Sequence, residues 1–192
     1  MKSIMAISAS ILAFTFTACN STGSKQINNT DSAQTQANTT AAPATAVNAK
    51  PADGILTGYI NLKNSLASDN GSDAAKNGQE ILDAISKFDN SSLTPDQKKT
   101  FLGLVGDIKE NSEHINENAD KIDHQREHFE MLSKDIYDLA KSVGTDKTLY
   151  LDSCPMYDNG KATWISEIKE IKNPYLGKKM DTCGAIKETI KQ

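Results

Sequence analysis

Four stretches of the chain repeat their apolar residues at intervals of three and four, the spacing that gathers side chains on one side of an α-helix. Over 54–67, Ile55, Tyr59, Leu62 and Leu66 form the stripe, with Leu56 and Ile60 beside it. Over 72–88 the inward positions are Ala74, Ile81, Ile85 and Phe88, adjoined by Ala75 and Leu82. Ser72 is placed to cap that helix, and Gly78 either admits a close neighbour or weakens it. The third helix has the clearest start. Thr94-Pro95-Asp96-Gln97 combines an N-cap threonine, proline at the first helical position and a capping-box glutamine, ahead of Phe101, Leu104, Val105, Ile108 and Ile115. A polar cluster over 116–120 interrupts the pattern, and Asp120 is placed to cap a fourth helix that Gly144 ends. In that helix Ile122, Phe129, Leu132, Ile136, Leu139 and Val143 make a continuous bundle seam.

After Gly144 the period changes. Residues 147–152 and 161–166 are rich in Thr, Leu, Tyr, Trp and Ile and flank an Asn159-Gly160 turn signal, which predicts two antiparallel strands. Asn173-Pro174-Tyr175-Leu176-Gly177 is a further turn, and 183–191 is expected to close the chain with a helical turn or two. The pattern therefore predicts a mainly α protein, an antiparallel four-helix bundle with a small C-terminal β-hairpin/helix appendage over about 145–192.

The N-terminal part follows no such period. Residues 1–18 carry Lys2, an apolar run from Ile4 to Phe16 and small residues before Cys19, which is the form of a lipoprotein signal peptide whose cysteine takes the lipid. Residues 19–53 are Ser, Thr, Asn, Gln, Ala and Pro with almost no large apolar side chain, too little to offset the entropy of ordering them. They are expected to form a tether with a reach of about 30 Å by flexible-chain scaling. Residues 54–192 are then one folded domain.

Composition narrows the function. A net charge of −4 with scattered lysines offers no basic stripe for nucleic acid. There is no Gly-rich phosphate loop and no nucleophile motif, so the chain is expected not to be an enzyme. With Cys19 assigned to the lipid, two of the three cysteines remain, Cys154 and Cys183.

Those two cysteines admit two readings. Cys154-Pro155-Met156 and Met180-Asp181-Thr182-Cys183 together present two thiols and two thioethers, a soft set that suits monovalent copper, with silver and zinc behind it. The spacing is not that of a zinc ribbon. Alternatively Cys154 and Cys183 form a disulfide, the common outcome in a secreted chain, closing a loop of about thirty residues and contributing about 3 kcal/mol. His124 and His128 stand four apart on one side of the fourth helix, Met131 continues that side, and His114 near the end of the third helix faces them across the turn. These four are further candidate metal ligands. Arg126, the only arginine, suits a partly buried carboxylate or a set of carbonyls and is expected to tie the fourth helix to the appendage. Trp164 is expected to form the core of that appendage.

Several strings also point outside the chain. Asp123-His124-Gln125-Arg126-Glu127-His128-Phe129, Leu132-Ser133, Leu149-Tyr150, Cys154-Pro155-Met156, Trp164-Ile165-Ser166, Ile171-Lys172-Asn173-Pro174-Tyr175, Gly177, Met180 and Cys183-Gly184 resemble an uncharacterised bacterial periplasmic domain. That domain occurs in lipoproteins and fused to the adaptor subunits of heavy-metal efflux pumps, and the resemblance extends over 54–192. It implies the handling of a heavy metal, copper first, and moves the weight from the disulfide to the Cys/Met set. It also implies heavy-metal efflux components as partners. The lipoprotein signal itself places the chain in the cell envelope, and Asn20 after Cys19, in place of aspartate, fits lipid anchoring to the outer membrane, facing the periplasm.

Overall fold

The computed structural model describes residues 52–191; the expected signal segment, the tether up to Pro51 and Cys19 lie outside the described residues. Four helices come first, α1 (Asp53–Ala67), α2 (Gly71–Ser86), α3 (Pro95–Glu117) and α4 (Ile122–Val143), each packed on the next. Three strands follow, β1 (Leu149–Ser153), β2 (Thr163–Ser166) and β3 (Ala185–Ile190), in the antiparallel order β2-β1-β3. The fold is thus mainly α, with a small C-terminal sheet. Among the described residues no helix is long and apolar enough to cross a membrane.

The apolar stripes turn inward as the periodicity predicts. Ile55, Tyr59, Leu62 and Leu66 of α1, Ile81 of α2, Ile108 and Ile115 of α3, and Phe129, Leu132, Ile136 and Leu139 of α4 are all buried. Each such side chain contributes about 1.5–3 kcal/mol by leaving water. Tyr59 stacks on Phe129 at 5.2 Å, and its hydroxyl lies 2.8 Å from Ser133 Oγ while accepting from the Ile165 N–H at 3.0 Å. One phenol thus joins α1, α4 and β2. Trp164 is fully buried, as expected. Beneath the sheet Lys63 is buried too, its ammonium 3.4 Å from both Ser166 Oγ and Glu167 Oε2. Burial raises the pKa of Asp152 to about 6, against the opposing pull of Lys63.

The α3 start is the predicted capping box. Thr94 Oγ1 accepts from the Gln97 N–H and Gln97 Oε1 accepts from the Thr94 N–H. Gln97 also donates to Ser142 O, joining the start of α3 to the end of α4. Gly78 resolves toward close approach: a β-carbon there would lie 2.9 Å from Ser112 O and 3.2 Å from Asn116 N of α3.

Three local expectations are corrected. The α2 cap is Asn70, whose side chain accepts from the Asp73 N–H, because the three-residue turn after α1 draws Gly71 and Ser72 into the helix. At α4 the N-cap position is Lys121, not Asp120, and no side chain caps it. The segment expected to end in helical turns runs instead as β3, with Leu149 paired to Ile190 and Ser153 to Ala185. Pairing with a strand some thirty-five residues earlier overrides the helical preference of its Ala, Lys and Glu residues.

Candidate metal centre

All three histidines of the chain converge. His114 lies in the last turn of α3, and His124 and His128 stand one turn apart near the start of α4. Each offers one ring nitrogen, and the three atoms lie within 4.8 Å of one another. The His114 and His128 rings stack at 4.3 Å with planes 3° apart, whereas His124 stands nearly perpendicular to His128 at 4.7 Å. All three rings are partly exposed.

The scaffold beneath them is made of polar groups. The side chain of Gln125, fully buried between α2, α3 and α4, donates to Gly71 O and to Ile115 O, both at 3.0 Å. Asn118 Nδ2 donates to His114 O at 2.8 Å and its carbonyl accepts from the Lys121 N–H, which shapes the turn between the helices. The distance between His114 and its two partners is therefore set by this turn.

Hydrogen bonds also select the ring protons. Asn111 Nδ2 donates to Asp107 O at 2.9 Å, so Asn111 Oδ1 can only accept from His128 Nδ1, 3.0 Å away. The Glu127 carboxylate, 3.0 Å from His124 Nδ1, accepts in the same way. Both rings then carry the proton on Nδ1 and leave Nε2 with a free lone pair. Burial, and after it the charges His114 and His124 would carry, hold the His128 pKa below the ordinary imidazole range. Gln125 and Glu127 stand in the 123–129 string quoted above, but the sequence alone does not assign the bonds that they and Asn111 make here; their positions within four residues of a histidine are the signal that could have found them.

The second set lies at the sheet. Cys154 follows β1 and Cys183 precedes β3, and because Ser153 pairs with Ala185 the two thiols meet, with Sγ atoms 3.0 Å apart. Both are free cysteines, Cys154 buried and Cys183 partly exposed. The backbone of Asn173 and its side chain hold this end of the loop. Its N–H donates to Asp181 O and its Nδ2 to Cys183 O, both at 2.7 Å. The neighbouring Cys154 thiol, and burial after it, raise the Cys183 pKa. Met156, two residues after Cys154, and Met180, three before Cys183, stand 66% and 39% exposed. Neither thiol belongs to the histidine group, and Met131 continues the histidine side of α4 in solvent.

Arg126 makes the predicted tie. Its Nε donates to Pro174 O of the appendage at 2.9 Å, and Nη2 donates to Leu66 O at 3.1 Å and to Asp69 Oδ1.

The helical part of this fold, with its histidine group, also has relatives. A domain of the family described as "Protein of unknown function (DUF3347)" covers residues 55–148. The match includes Arg126 and all three histidines and stops one residue before β1, so it is narrower than the resemblance stated above and leaves Cys154, Met156, Met180 and Cys183 outside it. No curated protein and no solved structure matches the chain.

Proposed function

We propose that this protein is a non-enzymatic, lipid-anchored protein of the cell envelope that takes up monovalent copper between Cys154 and Cys183, and buffers it or passes it to a heavy-metal efflux system. The observation that carries the reading is the meeting of the two thiols at the ends of adjacent strands, with the exposed Met156 and Met180 two and three residues from them along the chain. Thiolates and thioethers favour soft ions. Unbranched methionines in solvent can bind and release without disturbing a core, as transfer to a partner requires. The leader-like residues 1–18 and Cys19 support the location.

A second reading, favoured by the same 3.0 Å approach, is a disulfide-stapled module that docks on a partner protein without metal. Titration of the reduced chain with monovalent copper against a competing chelator separates them. Copper binding that disappears in a Cys154→Ser, Cys183→Ser double variant is the result expected. Equal binding by parent and double variant would discard the copper site, and a thiol count of zero on protein purified without reductant would favour the staple.

A further inference from the structure

We propose that His114, His124 and His128 form a second metal site, separate from the thiols, that binds a borderline divalent transition-metal ion through ring nitrogens, with divalent copper ahead of zinc. This goes beyond the reading of the thiol pair and does not depend on it.

Three observations carry it. The chain has three histidines, and all of them meet at one place on the α3–α4 surface. Two of the rings are held so that Nε2 is the free lone pair, His128 by the Asn111 carbonyl and His124 by the Glu127 carboxylate. A carbonyl or carboxylate accepting from the far ring nitrogen is the arrangement that orients a metal-binding imidazole and raises its basicity. Finally, the ligands come from two helices whose junction is fixed by the buried Gln125, so the fold brings the three backbone positions together.

The ligand chemistry decides the class of ion. Neutral imidazole is a borderline donor that suits Cu2+, Zn2+ and Ni2+, and the general order of affinity places Cu2+ first. Hard cations such as Ca2+ and Mg2+ prefer oxygen. Three protein ligands leave a coordination position for water or for a ligand from a partner, which suits exchange more than permanent structural binding. One movement is needed. An ion lies in the plane of each ring that binds it, and the parallel, offset planes of His114 and His128 share no point. The His114 ring, held by ring contacts and by no hydrogen bond among the described residues, must therefore turn.

The test is a titration of the purified full chain with Cu2+ against a nitrogen-donor chelator, followed by electron paramagnetic resonance. One ion showing hyperfine coupling to imidazole nitrogen is expected, unchanged in the Cys154→Ser, Cys183→Ser variant. Asn111→Ala should weaken binding by about tenfold through loss of ring orientation. His128→Ala should weaken it further, with an unchanged far-ultraviolet circular dichroism spectrum. Binding by a His114→Gln, His124→Gln, His128→Gln variant as tight as the parent's would overturn the proposal, as would loss of the Cu2+ signal in the cysteine variant alone. Failure of the thiol site with monovalent copper would leave these outcomes unaffected, so the two sites are judged separately.

Discussion

The guanidinium of Arg126, on the second turn of α4, closes against the carboxylate of Asp69, the middle residue of the turn out of α1. Asp69 has a positive φ of 56° and also accepts from the Lys178 N–H at 3.0 Å, so the pair fastens the end of α1, the start of α4 and the appendage at one point. The hydrogen bond from Arg126, then that from the Lys178 N–H and the nearby positive charges, hold the Asp69 pKa below the ordinary carboxylate range against partial burial.

Replacing Arg126 should therefore loosen three elements together. Arg126→Met leaves the Pro174 carbonyl without the Nε donor, the Leu66 carbonyl with only backbone donors and the Asp69 carboxylate without its guanidinium, and a loss of about 3 kcal/mol is expected in urea denaturation. Asp69→Ala, at a more exposed partner, should cost less. A loss below about 1 kcal/mol for Arg126→Met would show that the tie is not structural.

Two helical glycines should respond in opposite directions to alanine. At Gly103 a β-carbon meets nothing within 4 Å, so Gly103→Ala should raise stability by about 0.5–1 kcal/mol. At Gly78 the same carbon meets the α3 backbone at 2.9 Å, and Gly78→Ala should lower the melting temperature despite its better helix propensity. Equal shifts at the two positions would contradict the close packing of α2 on α3.

The α3–α4 surface should also impose a pH dependence. Burial, then Asp107 and Asp138, raise the Asp135 pKa from 3.8 to about 6. A carboxyl raised in this way binds its proton more tightly folded than unfolded. Its contribution therefore favours folding at low pH and is lost as pH rises through about 4 to 6. Asp135→Asn should be more stable than the parent at pH 7.5, with the difference closing near pH 4. Denaturation curves at both pH values check this; a constant difference would show that Asp135 titrates normally.

The reduced thiols should differ in reactivity. Cys154 is buried and Cys183 partly exposed, with a pKa raised by its neighbour and by burial, so Cys183 presents less thiolate at neutral pH than an ordinary cysteine. Iodoacetamide should label Cys183 first and more slowly than free cysteine, as read by peptide mass mapping. Earlier labelling of Cys154 would reverse the assignment of which sulfur faces solvent.

Much of this was legible along the chain because it is local. The capping box at Thr94 lies within four residues, and the α4 seam within one helix. The pairing of His124 with His128 is a matter of helical repeat, and the expectation that His114 would face them needed only a short turn. What the sequence hid was non-local or polar. β3 is an edge strand with most residues exposed, so its alternation is weak and its identity comes from β1. Asn70 and Ser72 are both good caps, and only the tight turn after α1 chooses between them. Asn111 and Glu127 look like ordinary helix-surface residues until the rings they orient are in place.

Because β3 is an edge strand paired only with β1, the two proposed ligand groups depend differently on residues 183–190. Proteolytic trimming that removed residues 183–190 would take away one thiol, uncover an edge of β1 and remove the Glu188 carboxylate that Tyr137 and Lys141 of α4 bond, yet leave the three imidazoles in the chain. If both proposed sites hold, trimmed and intact forms of the protein would then differ in the softness of the ions they retain.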